Sequence, residues 1–134
     1  MEKITAIPDK TLGVLSGRDC IYLDTLTQDE FGNLTFKGEI NGSLVENPQS
    51  AKWLPYTLKF GGVIAYFSCE TDTYYNIDST EEKSSFTIIE KSKWLSELPI
   101  RDDEDKKKYT HYRLYTYDFI YNIMAKSYEM NLNI

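Results

Sequence analysis

The chain is poor in the residues from which most reaction centres are built. Its 134 residues include one histidine, His111, and two cysteines, Cys20 and Cys69. A zinc site of the common spacings needs about four such ligands, so that class is excluded. The two cysteines stand far apart, each inside an apolar run, and read as buried reduced thiols rather than a disulfide or a redox pair. Glycine is sparse as well, and "GVLSGRD" has Gly13 and Gly17 without the spacing or the lysine of a phosphate-binding loop. "VLSGR" around Ser16 lacks the first glycine of a nucleophile elbow. The acidic run "DDED" lacks the glycine and the spaced oxygens of a calcium loop. No catalytic, metal or cofactor residue is therefore assigned, and no cofactor is expected.

Long apolar runs are missing too. No stretch approaches the roughly 18 apolar residues of a membrane span, and "MEKITAIPDKTLG" has no signal-peptide core, so no membrane association and a cytoplasmic location are expected. Basic residues are outnumbered, 15 against 21 acidic ones, for a net charge of −6. That balance repels phosphate backbones and favours a basic protein partner or plain solubility. No linker or internal repeat divides the sequence, and its length suits one domain, residues 1–134.

Tyrosine is abundant. Eleven tyrosines in a chain that is 14% aromatic suit pleated, half-buried surfaces, which predicts a sheet-rich fold with amphipathic faces. "DCIYLDTL" and "NLTFKGEI" read as strands of a hairpin across "TQDEFGN", and "NGSLVENPQSA" as a loop. In "WLPYTLKFGGVIAYFSCE" the alternation of Tyr56, Leu58 and Phe60 with polar residues stops at Gly61-Gly62, either a hairpin turn or a bulge in one bent strand. A polar loop, "TDTYYNIDSTEEKSS", precedes a strand at "FTIIE". Ser92 then caps a short helix carrying Trp94, Leu95 and Leu98, stopped by Pro99.

"KKKYTHYRLYTYD" sets lysines beside tyrosines, as a nucleic-acid surface would. The block "RDDEDKKK" sums to zero charge, however, and "HYRLYTY" alternates with a period of two, so a strand entered from a charged loop is the better reading and no nucleic acid is expected. Phe119 to Tyr128 fits either a strand returning across a turn near Asp118 or a helix, with β-branched and aromatic content favouring the terminal hairpin. The expected fold class is α+β, mostly β: a single curved antiparallel sheet of about five to seven strands with one or two short helices.

Between Glu70 and Lys108, eleven carboxylates face seven basic residues, so this region holds −4 of the total charge. If its loops share one side of the sheet, Glu70, Asp72, Glu81, Glu82, Asp102, Asp103, Glu104 and Asp105 form an acidic surface with Tyr74, Tyr75 and Trp94 as anchors. The outward side of "HYRLYTY", with His111, Arg113 and Tyr115, extends the candidate partner surface.

"HYRLYTYDFIYNIMAKSYEM", with "SSFTIIEKSKWLSEL" upstream, resembles the tails of small, acidic, uncharacterised bacterial proteins, some of them immunity partners of secreted toxins. The likeness covers about the last 50 residues and implies a single β-rich domain that inhibits by occluding a basic toxin, with no chemistry of its own. A non-enzymatic, immunity-type binding protein is the leading expectation. Its rivals are a small enzyme or ligand-binding module with a pocket of Tyr112, Tyr115, Tyr66 and Trp53 beside His111, and an oligomeric structural or mobile-element protein.

Overall fold

The computed structural model describes residues 2–73, 84–101 and 105–133. Its strands are β1 (Lys3–Ala6), β2 (Ile21–Gln28), β3 (Leu34–Asn41), β4 (Trp53–Gly61), β5 (Ala65–Glu70), β6 (Phe86–Glu90), β7 (Thr110–Tyr115), β8 (Phe119–Ala125) and β9 (Ser127–Leu132). One helix, α1 (Lys93–Glu97), and two 3-10 turns, Thr71–Thr73 and Lys106–Lys108, complete the elements among the described residues. The strands form two antiparallel sheets, not the single curved one expected: β1-β6-β7-β8-β5 and β2-β3-β4-β9.

The sheets pack face to face through aromatic side chains. Phe60 of β4 meets Tyr112 of β7 at 5.2 Å between ring centroids, and Phe36 of β3 meets Tyr121 of β8 at 5.0 Å. Leu34, Phe36 and Ile40 of β3 and Leu54, Tyr56, Leu58 and Phe60 of β4 all point into this layer, as their period of two dictates. The close approach of β2 to β3 depends on Gly38, since a Cβ there would collide with the Tyr22 carbonyl oxygen.

The predicted β2–β3 hairpin forms, and Asp29 organises its turn by accepting from the Phe31 and Asn33 backbone N–H groups (2.8 and 3.0 Å). The terminal hairpin also forms: β8 returns along β7, and Thr116 closes the turn by donating to the Phe119 carbonyl at 2.6 Å. The helix alternative for this segment therefore falls. Ser92 caps α1, and Leu98 ends it just before Pro99.

Gly61-Gly62 is neither a hairpin turn nor a bulge within one sheet. Here β4 ends in one sheet and the chain crosses to enter the other as β5, with Gly62 at φ 65°. The same corner carries β8 into β9 through Lys126 alone, whose N–H donates to the Gly61 carbonyl at 2.9 Å. Two strands thus change sheets side by side. The expected polar loop over Thr71 to Ser85 lies mostly outside the described residues.

Candidate functional site

The candidate partner residues do not come together as the sequence suggested. Tyr74, Tyr75, Glu81, Glu82, Asp102, Asp103 and Glu104 lie outside the described residues. Glu70 closes β5 opposite Phe119, at the Tyr115 end of β7. Asp72, two residues on, pairs with Arg18 (2.6 Å), and the Arg18 guanidinium lies over the Tyr117 ring. Asp105 leads into the other end of β7, where it caps the Lys106–Lys108 turn by accepting from the Lys107 N–H at 2.9 Å. A six-residue strand spans about 17 Å, so the described carboxylates stand beyond opposite ends of it rather than on one acidic face.

The outward side of β7 is also corrected. His111 and Tyr115 are buried and Arg113 is half-buried, and at the His111 end α1 lies across this face of the sheet. Trp94 packs edge-on to His111 with centroids 5.1 Å apart. The aromatic pocket does not assemble either. Tyr112 turns into the layer between the sheets, Tyr115 takes the opposite face of β7, and Trp53 packs on Tyr22 in the other sheet. Of the cysteines, Cys20 is buried and Cys69 half-buried, and both are free thiols. Burial raises the Cys20 thiol to about 11, which keeps it protonated and inert.

Two arrangements emerge that sequence reasoning missed. The first is polar. His111 Nε2 lies 2.8 Å from Asn122 Oδ1, and His111 Nδ1 lies 2.7 Å from Ser92 Oγ. Asn122 Oδ1 also accepts from Arg113 Nε at 2.9 Å, which fixes the carboxamide with its oxygen towards the imidazole. Nε2 therefore carries the proton, and Nδ1 accepts from the Ser92 hydroxyl. Burial holds the imidazole below its ordinary pKa; the Asn122 bond opposes this, and Arg113 adds to it. A groove of about 750 Å³ opens over Ser92 and His111, walled by Ile89, Leu95 and Tyr109 with Lys106 and Lys107 at its rim.

The second is an edge. Among the described residues β5 pairs with β8 alone and ends its sheet. Thr71 N–H donates to the Asp118 carbonyl, and the register from there is one to one. By the alternation of an antiparallel ladder, Phe67 and Cys69 direct their backbone groups at β8, while Tyr66 and Ser68 direct theirs outward. Tyr66 and Phe67 are exposed on opposite faces of the strand. Ile64 and Phe31 expose further apolar surface near one end, where the Val63 N–H reaches the Gly32 carbonyl at 2.9 Å.

The other three edges carry the features that discourage pairing. β1 is four residues long and carries Lys3, and β2 is bulged between Leu23 and Thr25 around Asp24. β9 carries Glu129 and Asn131. Within "AYFSC" there is no charge, proline or bulge.

The fold and these two arrangements define an antiparallel two-sheet β protein with an aromatic edge that no described strand covers. Compared with protein-family models, curated proteins and solved structures, the chain matches none. Among the described residues no helix is long and apolar enough to cross a membrane, and no group of three or more metal-ligating side chains forms.

Proposed function

We propose that this chain is a binding protein that takes an extended segment of a protein partner onto β5 as an added strand. The observation that carries the reading is the outward-directed backbone of Tyr66 and Ser68 between the exposed Tyr66 and Phe67 rings. Main-chain hydrogen bonds along such an edge supply affinity, and the flanking side chains select alternate residues of the guest strand. A net charge of −6 favours a basic partner by speeding encounter. An immunity-type inhibitor, seated on a basic toxin and occluding it, fits this description and needs no chemistry from the chain. The cytoplasm is the proposed location.

Titration calorimetry against the product of the neighbouring gene tests the reading with Ser68→Pro as its probe. Proline at position 68 removes an outward N–H and no bond to β8, so the fold is kept while the guest strand loses a partner. Binding by the unaltered chain and a loss of at least about tenfold in Ser68→Pro is the expected pair of results, since one hydrogen bond and a blocked edge exceed about 1.4 kcal/mol. Equal affinity of the two proteins, or no binding to a toxin-like neighbour, would remove the edge from the mechanism.

A further inference from the structure

Ser92 is bound more elaborately than a helix cap requires. Capping needs its hydroxyl oxygen to accept from the Leu95 N–H, which it does at 3.1 Å. It does not need a histidine on the hydroxyl proton, nor a carboxamide behind that histidine. Yet Ser92, His111 and Asn122 form one chain of hydrogen bonds at 2.7 and 2.8 Å, drawn from three separate elements. The direction of that chain is fixed by Arg113 on Asn122, and it leaves the imidazole as an acceptor of the serine proton.

The local backbone points the same way. Ser92 sits in the turn from strand β6 to helix α1, and the residue before it, Lys91, has φ 56°, the only non-glycine residue with positive φ among those described. A non-glycine residue costs about 1–3 kcal/mol in such a conformation and is held there by its surroundings. Strained strand-to-helix turns are how some hydrolases project a nucleophilic serine, because the turn lifts the side chain clear of the sheet. Here it lifts Ser92 to the base of a groove of about 750 Å³ that His111 also lines.

We propose that Ser92 is a nucleophile for acyl transfer, with His111 as its general base and Asn122 as the positioning residue that holds the imidazole tautomer. This is independent of partner capture on β5. The substrate class is an ester of a short carboxylic acid carrying a further negative charge, since Ile89, Leu95 and Tyr109 offer apolar walls and Lys106 and Lys107 a cationic rim. Ser92 Oγ attacks the ester carbonyl carbon while its proton passes to His111 Nδ1. The carbon–oxygen bond to the alcohol then breaks, and the alcohol leaves with that proton. Water, deprotonated by the same nitrogen, releases the acid and restores the serine.

A fluorophosphonate probe tests the proposal on the full chain, because Ser92 Oγ displaces fluoride and the adduct persists. One adduct per chain is expected, mapped to Ser92, with none in Ser92→Asn, a variant that keeps a good N-cap without a hydroxyl. His111→Gln should slow labelling by about 100-fold or more. Asn122→Ala should also slow it and shift its pH profile, a readout that loss of packing alone would not move. Among the described residues the charged groups acting on the imidazole are Arg113 and Glu2, so in the unaltered protein labelling should fall only below the ordinary histidine range. No adduct on cooperatively folded protein, labelling of Ser96 or the lysines instead, or equal labelling of Ser92→Asn would overturn the proposal.

Discussion

Strand β4 and strand β8 are both central in their sheets, but they meet different surroundings. In β4 every second residue is buried, and those between, such as Thr57 and Lys59, look out to solvent or are half-exposed. In β8 all residues after Phe119 are buried, on both faces. The second sheet thus has one buried face along β4 and the first has two along β8, with α1 over the His111 end of the outer one. The consequence is chemical: a covered second face buries polar groups, which then have to satisfy one another. His111, Asn122, Ser92 and Thr87 are buried in the first sheet's outer layer, and nothing comparable occurs on the outer side of the second.

The largest effects should come from the layer both sheets share. Phe60 packs against Phe36, Phe86 and Tyr112, so Phe60→Ala should cost about 3–5 kcal/mol in urea unfolding. Asn122→Ala comes next and bears directly on the contrast. It takes the acceptor from the buried His111 Nε2–H, at about 1–3 kcal/mol, and also removes the Arg113 Nε bond. Were Asn122→Ala neutral, the second face of β8 would not be a buried and hydrogen-bonded polar layer.

Acid should act on the same layer. Because burial lowers the folded pKa of His111, the unfolded chain binds this proton first as pH falls. The contribution is constant above the ordinary histidine value of about 6.5 and is lost progressively below it, by up to about 1.4 kcal/mol per pH unit until the folded pKa is reached. Unfolding curves measured from pH 7.5 down to 5 should show this slope, and His111→Gln should flatten it. Ser92→Ala should cost about 1 kcal/mol through loss of the cap, and about 1–3 kcal/mol more because the buried His111 Nδ1 loses its donor.

The same contrast explains what could be read from the sequence. The β2–β3 and β7–β8 hairpins, the Ser92 cap and the Pro99 stop were legible because turn residues, capping chemistry and alternation act locally. The division into two sheets was not, since it is made at Gly61-Gly62 and Lys126, and no local preference tells a corner from a bulge. Nor was the burial of His111 and Tyr115 legible: their alternation with Tyr112 and Leu114 is the same whether the outer side meets water or a helix. The Ser92–His111–Asn122 chain was hidden for a related reason. Its members lie 19 and 11 residues apart on three elements, and only the register of β7 on β8 brings Asn122 beside the histidine. That β5 ends its sheet among the described residues depends on strand order, which alternation does not encode.

The smallest effect should come from Lys59, and it is the sharpest check on the comparison. Lys59 holds in β4 the outward parity that Asn122 holds in β8, and it sits opposite Glu129 of β9 and Thr35 of β3. Its side chain is exposed, so any attraction to Glu129 is screened, and an exposed pair of this kind is worth about 0.2–1 kcal/mol at most. Lys59→Ala should therefore shift unfolding by no more than about 0.5 kcal/mol, with little dependence on salt. A loss as large as that of Asn122→Ala would mean that the outer side of the second sheet is covered as well. The contrast between a one-faced and a two-faced sheet would then fail, and with it the reason for finding the buried polar layer on one side of the molecule.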